Sequence, residues 1–190
     1  MKQKNKSLYF FISLLILSSL ACTIFIGGPD YPEQNVPVSE NEVANMQTLI
    51  QQAFLAGAET GIVTIQITQS QLTSYLALKT QSLQDPPFTD PQILLQNGQM
   101  QMYGKVKSGV FTANMLITMD VGIDSTSGLP SITINSADFG PIPAPEGINK
   151  AISKIIEEAF TGSFGPVATG FRLESISIAD GVMTLTGRIK

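Results

Sequence analysis

Carboxylates are the only side chains of this sequence numerous enough to carry acid–base chemistry. There is no His, and the single Cys is Cys22. That excludes Ser-His and Cys-His nucleophile systems and nearly every transition-metal site. A working carboxylate pair would need two Asp or Glu held opposite one another. Asp85, Asp90, Asp138, Glu146, Glu174 and Asp180 are the candidates. Turn chemistry explains most of them, because Asp180 precedes Gly181, Asp85 and Asp90 precede Pro, and Asp138 and Glu146 flank a proline-rich corner. Asp138-Phe139-Gly140 spells a kinase triplet without the Gly-rich loop, strand Lys or catalytic loop that give it meaning. No Walker loop, EF-hand or dinucleotide fingerprint occurs. The expectation is a non-enzyme, with no catalytic residue, no metal ligand and no cofactor.

The methionines suggest a different chemistry. Met100, Met102, Met115, Met119 and Met183, five of the seven, fall in alternating strand patterns. Met packs adaptably and is over-used on surfaces that accept varied apolar ligands; it also fills gaps in ordinary cores. Together with Ile117 on the longest strand and Ile152 and Ile155 on a late helix, these five define a candidate apolar-ligand groove. Both readings, groove and core, stand at this point.

Charge limits the partners. Fifteen carboxylates face 11 Lys plus Arg, and Lys2, Lys4 and Lys6 precede the hydrophobic N-terminal run, which leaves a net of −7 beyond it. An acidic domain without a basic stripe argues against nucleic acid and against electrostatic docking onto anionic lipid.

The N-terminus is a targeting segment. MKQKNKSLYFFISLLILSSLAC has a basic start, an apolar stretch and small residues before Cys22, which resembles a bacterial lipoprotein signal whose Cys is acylated after cleavage. The competing reading is an uncleaved anchor, since Leu8 to Ile26 is a charge-free run of 19 residues, ~28 Å as a helix. Either way Lys2, Lys4 and Lys6 hold the N-terminus inside and the domain faces outward, anchored at the cell membrane. Residues 1–26 are thus signal peptide or anchor, 27–38 a Pro/Gly linker, and 39–190 a single extracytoplasmic domain.

The elements of that domain follow from periodicity. Ser39 and Glu42 predict a capping box opening a helix to about Ala58, with Val43, Met46, Leu49, Ile50, Ala53 and Phe54 on its apolar face. IVTIQIT (62–68) alternates as a strand, and Thr68 with Gln71 predicts a second capping box. DPPFTDP (85–91) reads as an irregular loop. Asn97-Gly98 between alternating runs predicts a hairpin over 92–107. Val110 to Ile123 carries Phe111, Ala113, Met115, Ile117, Met119, Val121 and Ile123 on one face, an unusually long strand. Residues 129–139 form a further strand, 148–161 a helix that covers the apolar sheet face, and 171–178 with 182–189 a last hairpin about Asp180-Gly181. Gly104, Gly122 and Gly187 within strand patterns suggest bulges or bends.

LQNGQMQMYGKVK (95–107) and IADGVMTLTGRIK (178–190) align without gaps at an offset of 83, each after a helix and a Pro-containing loop. The alignment reads as one helix–hairpin unit used twice, or as the ordinary likeness of two X-Gly hairpins.

The fold class is α+β, with a long, strongly twisted antiparallel sheet wrapped on a helix in the C-terminal half. Four stretches, ITQSQLTSYL, PQILLQNGQMQMYGKV, GLPSITINSADFGPIPAPEGINKAI and SISIADGVMTLTG, resemble in this order the membrane-anchored bacterial YpmS-like and LmeA-like proteins. Those families are related to the TULIP, or BPI-like, lipid-binding fold. The resemblance covers roughly 62–190 and implies a curved sheet around a helix, with an apolar groove that binds a lipid or another apolar envelope molecule. The alternative is a non-enzymatic envelope scaffold with a closed core and a protein partner of unknown identity.

Overall fold

A computed structural model describes residues 23–33, 35–124, 130–144, 147–148, 150, 152–155 and 171–189. The signal or anchor up to Cys22, Glu146, most of the DSTSG turn (124–128) and the helix beyond residue 155 lie outside the described residues. The chain is α+β, dominated by a strongly curled half-barrel of strands with few helices.

In chain order the elements are β1 (Ile24–Phe25), α1 (Glu40–Thr60), β2 (Ile62–Thr68), α2 (Gln69–Gln81), β3 (Thr89–Gln96), β4 (Gln99–Ser108), β5 (Phe111–Ile123) and β6 (Pro130–Asp138). A helix α3 follows, seen at residues 148, 150 and 152–155. Strands β7 (Phe171–Ala179) and β8 (Val182–Ile189) close the chain. One sheet runs β1-β5-β4-β3, with β6 sharing the β5 edge that β1 occupies; the other runs β2-β8-β7. All pairings are antiparallel except β1 with β5.

Local chemistry sets the helix ends. Thr68 and Gln71 form the expected capping box: Gln71 N–H donates to Thr68 Oγ1 at 3.2 Å and Thr68 N–H to Gln71 Oε1 at 3.0 Å. The box expected at Ser39 and Glu42 does not form. Ser39 N–H, the donor that Glu42 would satisfy, instead donates to Ser74 Oγ at 3.1 Å, tying the start of α1 to α2. Gly61, at φ 73°, ends α1 with its N–H on Gly57 O, as an αL cap does.

Both hairpins turn where the sequence places them. Asn97 and Gly98 sit at φ 54° and 77°, Asp180 and Gly181 at 51° and 78°, the left-handed pair a two-residue turn needs. The DPPFTDP stretch departs from expectation, because its last three residues already belong to β3. Asp90 takes φ 50° and the register slips between Thr89 and Gln92, so the prolines are accommodated by a bulge at a strand end.

The long-strand face is buried in its middle. Ala113, Met115, Ile117 and Met119 have no exposure, whereas Phe111 is exposed and Val121 and Ile123 are half-buried. Across the β4–β5 ladder Met100 pairs with Met119, Met102 with Ile117, and Val106 with Ala113. Val63, Ile65 and Ile67 of β2 and Met183 and Leu185 of β8 join the same core, as do Ile148, Ile152 and Ile155 of α3. Each such side chain contributes roughly 1.5–3 kcal/mol by burial.

The likeness of the two hairpins extends to their bulges. The bulge in β3 faces Gly104, and the bulge in β7, between Leu173 and Ser175, faces Gly187. After each glycine comes a cation that bonds an acid within the bulge: Lys105 Nζ to Asp90 Oδ2 and Arg188 Nε to Glu174 Oε1, both at 2.8 Å. The bulges occupy aligned positions, whereas the paired acids do not, since at the offset of 83 Asp90 corresponds to Leu173 and Glu174 to Pro91. Gly122 differs, since it pairs regularly with Ser131 and marks no bulge.

Candidate functional site

The eight residues proposed as an apolar groove are brought together, and they lie inside. Met100, Met102, Met115 and Met119 are at most 5% exposed. Ile117, Ile152, Ile155 and Met183 belong to the same buried cluster. Their chemistry is that of a packed core.

An open groove of about 1650 Å³ lies elsewhere, and none of those eight side chains lines it. Its volume exceeds the roughly 300–1,000 Å³ usual for small-molecule sites. Three parts of the chain build its walls. The first is the N-terminal segment, through Phe25, Tyr31, Asn35 and Val38; the second is the end of α2 with the loop 85–88; the third is the paired strands β4 and β5, through Lys105, Lys107 and Thr112. Phe88, Val106 and Ile148 back the groove from the core but are nearly fully buried, so the apolar surface it offers comes mainly from Phe25, Val38, Pro86 and Pro87.

The N-terminal segment is a wall because it is fastened. Residues 27–33 and 35–38, read above as a linker, and the residues just before them are bonded to the domain at several points. Ile24 N–H donates to Val110 O at 2.7 Å, Ile26 N–H to Thr112 O at 2.9 Å, and Asn114 N–H to Gly27 O at 2.9 Å. Asn114 Nδ2 also donates to Pro29 O. At Gly28, φ 116°, any Cβ would run into the Asn114 backbone, and Gly140 of the proline corner closes on it from the other side. Farther on, the Gln92 side chain and the Val36 backbone exchange two bonds, N–H to Oε1 at 2.7 Å and Nε2 to O at 3.1 Å. This reciprocal pair is buried, the setting in which a lost partner costs most.

Tyr31 anchors the rim. Its hydroxyl donates to Asp90 O at 2.9 Å, its ring leans on Tyr103 at 6.0 Å between centroids, and Lys105 Nζ stands 6.0 Å from the ring centre. Burial, with the Asp90 charge as the smaller cause, pushes the phenol well above its ordinary value near 10. The groove therefore presents a protonated phenol, an ion pair and the exposed Lys107 beside the apolar Phe25, Val38, Pro86 and Pro87. That combination suits an amphiphile: a polar head at the rim and an apolar chain within.

The carboxylates have local partners. Asp90 pairs with Lys105 and Glu174 with Arg188. Asp138 accepts from Gly140 N–H in the corner turn, and Asp180 occupies the hairpin turn. Asp85 is exposed at the groove. Among the described residues no three acidic or Cys side chains converge as a metal site. Asp120, held low by bonds from Asn135 and Gln99, sits on the outer face of β5.

The sequence reading misses this groove because it assigns residues 27–38 to a linker. The available signal is the apolar run Thr23-Ile24-Phe25-Ile26, ill-suited to a solvated tether and well suited to a strand. Searched against known proteins, the chain matches no family model and no curated sequence.

Proposed function

We propose that the protein is an extracytoplasmic, membrane-anchored binder of an amphiphilic envelope molecule, lodged in the groove between the N-terminal segment, the 85–88 loop and strands β4 and β5. The carrying observation is the 1650 Å³ groove lined by both polar and apolar side chains, one wall of which is the chain immediately after the hydrophobic N-terminal run. The resemblance to YpmS-like and LmeA-like proteins, with their TULIP-related sheet around a helix, supports the same reading. So does the burial of Ile148, Ile152 and Ile155 in the sheet's core.

Strand β1 bears on the anchor. No helix among the described residues is long and apolar enough to cross a membrane. With Ile24 and Phe25 extended, the charge-free residues left for a spanning helix are 7–23, ~25 Å at 1.5 Å per residue against a ~30 Å hydrocarbon core, the shortest length that spans one. This supports acylation of Cys22 over an uncleaved span. The scaffold alternative draws on the complete burial of Met115, Ile117 and Met119, which leaves these side chains unavailable to a ligand.

One experiment separates the two. Chain 23–190 exported from a bacterial host is extracted and the extract analysed by mass spectrometry, alongside Thr112→Trp, which fills the groove from a half-buried position. A lipid recovered with the native chain and depleted from the variant supports binding; no lipid from either supports the scaffold.

A further inference from the structure

Four large apolar side chains stand in solvent at one place. Ile24 is 54% exposed, Phe25 57%, Val110 48% and Phe111 44%. Ile24 is the ladder partner of Phe111, and its N–H bonds Val110 O. The four thus gather at one end of the sheet, Ile24 and Phe111 on one face, Phe25 with its partner Thr112 on the other, and Val110 in the turn between β4 and β5. Single exposed apolar side chains such as Leu55 are ordinary, but a cluster of four at one end of a sheet marks a place that something else covers.

The chain itself indicates the cover. The hydrophobic run Leu8–Cys22 ends two residues before Ile24. At ~3.3 Å per extended residue, Ile24 and its partner Phe111 lie within roughly 10 Å of wherever residue 22 meets the bilayer. The turn segment Lys105-Val106-Lys107-Ser108-Gly109-Val110-Phe111-Thr112 carries no carboxylate, although the domain is acidic. Lys107, exposed beside the patch, can keep its ammonium in the headgroup layer while its stem lies along apolar surface. Aromatic and aliphatic side chains at such a boundary gain by leaving water without crossing the membrane.

We propose that the tip formed by Ile24, Phe25, Val110 and Phe111 is seated in the interfacial layer of the bilayer that holds the N-terminus, fixing the domain's orientation. Phe25, Gly109 and Thr112 also line the groove, so this seating turns its mouth toward the lipid. The proposal rests on the anchoring part of the proposed function and not on the groove being loaded.

The chain has no Trp, so a single substitution gives an unambiguous optical reporter. Full-length Phe111→Trp and, separately, Leu55→Trp on the exposed side of α1 are reconstituted into phosphatidylcholine/phosphatidylglycerol vesicles with and without brominated acyl chains. Vesicle flotation checks anchoring in the same samples. The expected result is flotation of both variants, with opposite optical behaviour. Indole emission from Phe111→Trp is blue-shifted and loses most of its intensity in brominated lipid, whereas that from Leu55→Trp is quenched only by aqueous iodide. Val110→Trp, outside the groove lining, gives the same answer should the first variant fold poorly. Flotation of Phe111→Trp with emission that iodide quenches overturns the proposal alone. A blue shift without bromolipid quenching means that protein, either residues 1–22 or a second copy, covers the patch, and also overturns it. Absence of flotation overturns the anchoring reading and the proposal together.

Discussion

Tyr31 shows how one side chain of the N-terminal segment is made dependent on the folded domain. Its phenol is held neutral by burial and by the Asp90 charge. A group whose folded pKa is raised adds stability that is fully present below the unfolded value, near 10, and lost as pH rises through the folded value. The domain should therefore lose stability in alkaline solution from about pH 10 upward, and Tyr31→Phe should flatten that limb. Chemical denaturation at a series of pH values from 8 to about 11 checks this. An identical alkaline slope in both proteins would remove Tyr31 from the account. At Gln92 the effect is independent of pH. Gln92→Ala leaves the buried Val36 N–H and C=O without partners and should cost about 1–3 kcal/mol, read as a lower denaturation midpoint with unchanged slope.

At the scale of elements, the least expected feature is that the chain after Cys22 is part of the sheet. Two backbone bonds from Ile24 and Ile26, with the partly buried Ile26 side chain, tie β1 to β5. A chain beginning at residue 27 should be less stable than one beginning at 23 by about 2–3 kcal/mol, a shift of several degrees in Tm. Equal Tm values would show β1 to be dispensable. The repeated bulge gives a second contrast. Gly104→Ala places a Cβ 2.7 Å from Met115 Cε and 3.3 Å from Thr89 O, and overpacking of this kind costs about 1–3 kcal/mol. Lys105→Met removes an ion pair whose side chains are 44% and 61% exposed, and should cost under about 1 kcal/mol.

These elements also show what the sequence makes legible. Strict alternation, the Asn-Gly and Asp-Gly turns, the Thr68–Gln71 box and the Gly61 stop are local signals, and each reappears in the fold. The Ser39 box is local too, yet it loses to a distant competitor, Ser74 on α2. Parallel pairing of Ile24–Phe25 with Phe111–Thr112 joins positions almost ninety residues apart, and no short-range pattern announces it. The groove depends on that pairing, so it is invisible in the sequence for the same reason. The methionine stripe is visible, but period two cannot distinguish a core from a ligand wall.

In the whole molecule, core and groove are separate. Methionines and isoleucines from both sheets and from α3 share one buried cluster, while the open volume lies between the N-terminal segment, the proline loop and the β4–β5 strands. Adaptable core side chains can let the sheet curl without leaving voids, and the curl in turn leaves room at its end. The membrane attachment proposed for the N-terminus would put the anchor, the apolar tip and the groove on one side of the domain. The central claim, that this groove takes an amphiphile, is tested most directly by titrating chain 23–190 with an environment-sensitive fluorescent fatty acid. The account predicts saturable binding of one probe per chain, weakened at least tenfold, about 1.4 kcal/mol, by Thr112→Trp and unchanged by Phe111→Ser at the neighbouring tip. Binding that does not saturate, or that is indifferent to Thr112→Trp, would contradict it.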